Sequence, residues 1–278
     1  MDKKKIIAAV VVLLIAVDLY ALLYPKVSDY INTRSQSRAV VQYYDDVAGT
    51  GSENMLALLT AANDYNKRLV EKADRFKLSD GEIAEYEKQL DTGRGVLGTL
   101  TIAKINVELP IYHGTDEGVL QVGLGHLMGS SLPVGGAGTH AIITGHRGLP
   151  SSTLLSDLDR MELGDTFSLF IMGETLTYQV DEIKTVEPDE KEALDIYPDG
   201  DYCTLVTCTP YGINTHRLLV RGGRMENAGS FGWENLYADA SMPDKINVVA
   251  MFIIPVLPVI ALFIIIKCRK IYKGGLVL

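Results

Sequence analysis

Cysteine is scarce in this sequence, with three in 278 residues: Cys203, Cys208 and Cys268. Cys203 and Cys208 stand five apart on one apparent strand. At roughly 3.3 Å per residue that separates them by about 16 Å and turns them to opposite faces. A disulfide needs Cα atoms within about 7 Å, so the two do not bridge each other. Short-spaced Cys/His ligand pairs are absent, which argues against zinc, and no cofactor motif occurs. Repeats and low-complexity tracts are also missing. Positive charge is thin in the middle of the chain. Residues 24 to 245 carry 19 basic and 33 acidic side chains, a net of −14. That sign argues against nucleic acid as a partner, because phosphate recognition rests on basic patches.

Long hydrophobic runs, by contrast, are present at both ends. "IIAAVVVLLIAVDLYALLY" (6–24) follows Lys3, Lys4 and Lys5, and "INVVAMFIIPVLPVIALFIII" (246–266) precedes "KCRKIYK". A helix of roughly 20 apolar residues crosses the hydrocarbon layer, and prolines are tolerated there. The first run outlasts the roughly 7–15-residue apolar region of a cleaved signal, so it reads as an anchor, with a removed signal peptide as the alternative. Basic residues flank both runs. The positive-inside rule then predicts cytoplasmic termini and an extracellular middle on the plasma membrane. Cys203 and Cys208 fall outside, and Cys268 at the inner face.

The middle has two textures. "SRAVVQYYDDV" and "ENMLALLTAANDYNKRLVEKA" carry apolar residues at helical spacing, with Gly49 and Gly51 between them. "LSDGEIAEYEKQL" predicts a third helix, Ser79 and Glu82 forming a capping-box pattern. "ADRFK" (73–77) has no period and reads as a loop. From Gly95 onward, "GVLGTLTIAKINVELPIYHGT" predicts two strands, "THAIITGH" (139–146) one, and "YCTLVTC" and "THRLLVRGG" two more. "DTFSLFIMGETLTYQVDEIKTVEP" predicts a hairpin around Gly173, and "STLLSDLDRM" a short helix. Short strands divided by Gly and Pro suggest a closed or nearly closed sheet. Residues 226–245 read as a linker into the second apolar run.

A thiolate nucleophile wants an imidazole to manage protons and N–H donors for the oxyanion. Cys208 ends one strand and His146 another. Arg217 lies nine residues after Cys208, beyond the turn "TPYGINT", which lets the next strand run back beside the first. The other histidines read as surface or core residues: His113 and His140 on strand segments, His126 in an irregular loop. His216 is turned from Arg217 by strand alternation.

Several separated stretches, in order, resemble one family. "TLVTC" resembles the TLxTC signature of sortases, the cysteine transpeptidases of Gram-positive cell surfaces. "THAIITGHRGLPSSTLLSDLD" is similar to the family's histidine segment, "NTHRLLVRGGR" to its arginine strand, and "GHLMGSSLPVGGAGTH" to the loop before the histidine. The resemblance covers residues 95–224. It implies a mainly β fold, an eight-stranded barrel with short helices. The catalytic barrel then occupies 95–225, behind the segment 1–24 and a helical extension 25–94. A transmembrane helix lies at each end, and 267–278 form a cytoplasmic tail. It also implies roles. Cys208 attacks an LPxTG-like sorting signal to form an acyl-enzyme, His146 transfers protons, and Arg217 donates hydrogen bonds. An amine then releases the product.

The second apolar run and the helical extension resemble class C, the pilin-polymerising sortases. Those carry a lid in which an Asp-Pro-aromatic motif covers the active site. Its counterpart here is "ADRF", with Asp74 placed to pair with Arg217 and Phe76 to cover Cys208. Arg75 stands where proline would stiffen the tip, which implies a looser lid. The expected partners are pilins or surface proteins with a sorting signal, an acceptor amine from a pilin lysine or a peptidoglycan peptide, and membrane lipid, with no cofactor and no metal. The competing readings are a sortase that anchors surface proteins to peptidoglycan, a hydrolytic cysteine protease, and a non-catalytic surface binding module.

Overall fold

The computed structural model describes residues 3–149 and 151–225; the expected linker, second apolar run and tail (226–278) lie outside the described residues. The described residues up to Ile31 belong to one compact unit, and Asn32 begins the other. Helix α1, Lys3–Gly49, contains Pro25. It is long and apolar enough over Val10–Gly49 to cross a membrane, and Leu13, Leu14 and Leu22 are exposed there. Two further helices follow, α2 (Ser52–Val70) and α3 (Asp80–Tyr86). At the start of α3 the Glu82 carboxylate accepts hydrogen bonds from the Ser79 amide and hydroxyl, both 2.7 Å. This is the side of the capping box that fixes the entering chain.

Eight strands close into a barrel in the order β1-β2-β3-β4-β7-β8-β6-β5. They are β1 (Val96–Ile102), β2 (Val107–His113), β3 (Leu124–His126), β4 (Thr139–Thr144), β5 (Thr166–Ile171), β6 (Glu174–Val186), β7 (Asp201–Thr209) and β8 (His216–Arg224). A short helix, α4 (Glu117–Val122), precedes β3. Closure comes from antiparallel pairing of β1 with β5, Thr99 opposite Phe170 through Thr101 opposite Ser168. Alternation decides what fills the barrel. On β7, Cys203 and Leu205 join a buried cluster with Leu100, Ile111, Leu169 and Val220. Burial pushes the Cys203 thiol far up, so it acts as a small hydrophobe.

The N-terminal helices pack on this barrel. Tyr43 of α1 donates to the Leu97 carbonyl (2.8 Å) and accepts from the Met172 amide (3.0 Å). Met172 and Gly173 both have positive φ. They form the two-residue turn between β5 and β6 that matches the twist of a hairpin. Asn66 of α2 uses both ends of its amide on Leu132, at 3.0 and 2.7 Å.

Two local expectations are corrected. His126 lies on strand β3, paired with β4 opposite Ile143, and not in an irregular loop. "STLLSDLDRM" forms turns and a single 3-10 turn, Leu158–Arg160, because Leu154 adopts φ 39 and interrupts any longer helix.

Candidate active site

The site lies on the outer wall where β4, β7 and β8 run side by side. Strands β4 and β7 are parallel, with Thr139 opposite Asp201 and Thr144 opposite Val206, a constant offset of 62 positions. Continued two residues beyond β4, this register brings His146 level with Cys208. Two hydrogen bonds extend the pairing. The Gly145 amide donates to the Val206 carbonyl (3.0 Å), and the Thr207 hydroxyl donates to the Gly145 carbonyl (2.8 Å). A Cβ on Gly145 would meet Leu124 at 2.6 Å and Leu155 at 3.0 Å, so only glycine lets the chain pass here unshifted.

Strands β7 and β8 are antiparallel, and Cys208 stands directly opposite Arg217. Opposed residues of such a pair share a face with Cβ atoms about 5 Å apart. Arg217 Nη1 donates to the carbonyls of His216 (3.1 Å) and Asn214 (3.4 Å), which anchors one nitrogen of a five-donor fork. Cys208, His146 and Arg217 line one cleft of about 320 Å³. Ile142, Val206 and Leu219 form its apolar floor, and Glu187, Pro188 and Leu194 belong to the β6–β7 segment along its edge. Cys208 is half-buried and not in a disulfide.

Two residues unforeseen from the sequence, Arg147 and Glu117, and a third in a role other than the one expected of it support this constellation. Arg147 clamps the histidine segment to the end of β7: Nε donates to the Ser156 carbonyl (3.1 Å), Nη1 to the Thr209 hydroxyl (3.2 Å), and Nη2 pairs with Asp159. Glu117, the first residue of α4, brings Oε2 within 3.7 Å of His146 Nε2.

The third is Arg75. It donates to the carbonyls of Gly129 (3.1 Å) and Leu194 (2.5 Å) and pairs with Asp195 at 3.5 Å. Its guanidinium lies 4.4 Å from the Phe76 ring centroid, and Lys191 Nζ lies 5.4 Å from the same ring. A Cβ on Gly129 would stand 2.3 Å from the Arg75 carbonyl oxygen, so the loop fits only against glycine. Burial draws the Arg75 pKa down, and Asp195 opposes that shift.

Where proline would fix φ at the tip, Arg75 instead ties the segment to two backbone carbonyls through charged donors. The expected Asp74–Arg217 ion pair is absent among the described residues, since Arg217 Nη1 turns to local carbonyls. Neither Asp74 nor Phe76 lines the cleft; Phe76 lies against Gly129 and beneath Lys191 Nζ.

A thiol, an imidazole and a guanidinium on one wall of a closed barrel are the equipment of a cysteine acyl-transfer enzyme. The sortase domain family matches residues 100–225. Sortase C1 from Streptococcus agalactiae superposes with a TM-score of 0.66 at 49% identity, covering 68% of this chain and 99% of that one. Sortase C of Streptococcus pneumoniae gives 0.62 at 42% identity, covering 68% and 97%. Sortase D of Bacillus subtilis is 30% identical over 131 residues, 46% of this chain and 63% of that protein, so the chain spans less than two thirds of that relative's length. The chain belongs to the sortase family of cysteine transpeptidases, and its solved relatives named here are of class C.

Proposed function

We propose that this chain is a membrane-anchored class C transpeptidase that joins pilin subunits. Cys208 Sγ attacks the threonine carbonyl of an LPxTG-like signal, and the Thr–Gly amide breaks to leave a thioester. His146 gives a proton to the leaving glycine amine. A pilin lysine amine then attacks the thioester, loses a proton to His146, and forms a new amide as the sulfur departs. Arg217 donates to the oxyanion formed in each attack. Holding the acyl group as a thioester keeps its energy for the second amide. The observation that supports this reading is the shared cleft of Cys208, His146 and Arg217, with Arg217 directly opposite Cys208 in the β7–β8 register.

The apolar helix α1 supports an anchor, and anchoring beside membrane-held substrates raises their effective concentration. The pneumococcal sortase C is described in terms of pilin substrate specificity, and a Clostridium perfringens sortase C has been solved with a C-terminal cell wall sorting motif. The full reading adds a second span at 246–266, an extracellular barrel with cytoplasmic termini, and a lid around Asp74 and Phe76.

The test mixes the full chain in detergent micelles with a sorting-signal peptide, with and without a lysine-bearing peptide. An amide product that needs the lysine peptide and vanishes in Cys208→Ala is expected. Free acid alone, whatever amine is added, points to a protease. No cleavage at all points to a binding module.

A further inference from the structure

Glu117 belongs to no motif that resembles the family's catalytic set, yet its carboxylate is aimed at the histidine. Oε1 accepts a hydrogen bond from the Gln121 amide at 3.1 Å, one turn along α4. That contact holds the carboxylate and leaves Oε2 facing His146 Nε2 at 3.7 Å. Nε2 is buried and has no hydrogen-bond partner, although the histidine side chain as a whole is a quarter exposed. A separation of 3.7 Å is an ion-pair distance, not a direct hydrogen bond. Glu117 is 71% exposed, so a small rotation about the Gln121 contact meets no packed neighbour and closes the gap, and catalytic contacts commonly tighten only when substrate arrives.

A histidine that exchanges protons with a sulfur needs one nitrogen bare and the other occupied. The bond made by one ring nitrogen decides where the proton of the neutral ring sits. A carboxylate at Nε2 selects the Nε2–H tautomer and leaves the Nδ1 lone pair for proton exchange. We infer that Glu117 is a positioning residue for His146, the carboxylate that orients its ring and selects its tautomer. This rests on the acyl-transfer reading above. In acylation the thiol proton passes to Nδ1 as sulfur attacks. The imidazolium is then flanked by Glu117 at Nε2–H, and Nδ1–H protonates the leaving amine. In the second half the incoming amine returns a proton to Nδ1, and the departing sulfur takes it up to restore the thiol and the neutral ring. Glu117 stays a carboxylate throughout, in the orienting role that a third group plays behind other nucleophile–base pairs.

The test uses Glu117→Gln, which keeps the shape and removes the charge at an exposed position. The full chain in micelles, with 15N-labelled histidine, is observed at about pH 9, where imidazoles are neutral. The His146 signals are assigned by their loss in His146→Gln. In the parent chain the ring nitrogens report Nε2–H; in Glu117→Gln they move to a mixture of tautomers. In parallel, kcat for the sorting-signal peptide falls about three- to fivefold while its KM holds, the size of an exposed charge contact. A tautomer balance that is the same in both proteins overturns the inference, as does an unchanged kcat. A parent chain that cleaves no peptide counts against the transferase reading alone, because the tautomer measurement needs no turnover.

Discussion

At the scale of single residues, Cys203 and Cys208 show how one strand assigns opposite fates to one chemistry. Cys203 points into the barrel, fully buried, with its thiol pushed up by burial. Cys208 has the outward parity and reaches the cleft. The β6–β7 segment borders the same cleft: Leu194 lines it while its carbonyl is held by Arg75. Removing the guanidinium should release that edge. Hydrogen bonds from a charged donor each contribute about 1.5–3 kcal/mol, so Arg75→Ala is expected to raise the alkylation rate of Cys208 by about tenfold or more. Phe76→Ala, which removes the ring under Arg75 and Lys191, should act in the same direction. Peptide mapping after iodoacetamide treatment measures this, with Cys203 unmodified in every variant as the internal control. Equal labelling of Cys208 in parent, Arg75→Ala and Phe76→Ala would remove the lid from the proposal.

At the scale of elements, the β5–β6 hairpin and α1 depend on one hydroxyl. Tyr43 is buried, and its oxygen serves both the Met172 amide at the hairpin tip and the Leu97 carbonyl on β1. Tyr43→Phe keeps the ring and strips both partners, leaving two backbone groups unpaired. At about 1–3 kcal/mol for each buried group so stranded, the thermal midpoint should fall by several degrees. Differential scanning calorimetry of the full chain in micelles checks it, and an unchanged midpoint would place water at that oxygen. The same elements show what a linear pattern discloses. Strands with clean alternation, such as β7 and β8, are readable, and so is the Cys208–Arg217 pairing, because a nine-residue separation with a turn between them leaves few registers. Strand β3 is three residues long with Gly125 at its centre, and α4 has six residues, so neither offers a full period. The level position of His146 depends on a parallel pairing 62 residues apart, which no local pattern reveals. Glu117 reads in its own context as an ordinary surface charge, and the carbonyls that Arg75 reaches lie 54 and 119 positions away, beyond any local pattern.

At the scale of the whole molecule, two buried imidazoles join these elements and set how the fold responds to acid. His126 links helix to barrel: Tyr86 of α3 lies 2.9 Å from its Nδ1, and Nε2 donates to the Ser131 carbonyl at 2.8 Å. His140 on β4 donates from Nδ1 to the Asp195 carbonyl (2.8 Å), on the segment that Arg75 holds, and its Nε2 lies 2.7 Å from the Thr204 hydroxyl of β7. Burial is the main cause that lowers both to about 4 from 6.5. The Ser131 and Asp195 carbonyls oppose that shift, while His113 acts with burial on His126 and Arg221 on His140. Above pH 6.5 both rings are neutral in either state and contribute no pH dependence. Between about 6.5 and 4 the unfolded chain binds protons that the folded chain refuses, so stability falls as pH falls. Below about 4 the two states are protonated alike and the loss saturates. A shift of this size corresponds to a ceiling of about 3 kcal/mol for each ring. The melting midpoint of the full chain, followed by near-ultraviolet circular dichroism in micelles, should therefore drop steadily from pH 7 to pH 4.5. Carboxylates with lowered pKa, such as Glu82 at about 2, are still ionised across that window and lose their contribution only further down. His140→Gln separates the sources: its amide can donate to Asp195 and accept from Thr204 but cannot titrate. Its midpoint starts lower at pH 7 and should fall with a shallower slope than the parent's, whereas parallel slopes would assign the acid sensitivity to groups other than this histidine.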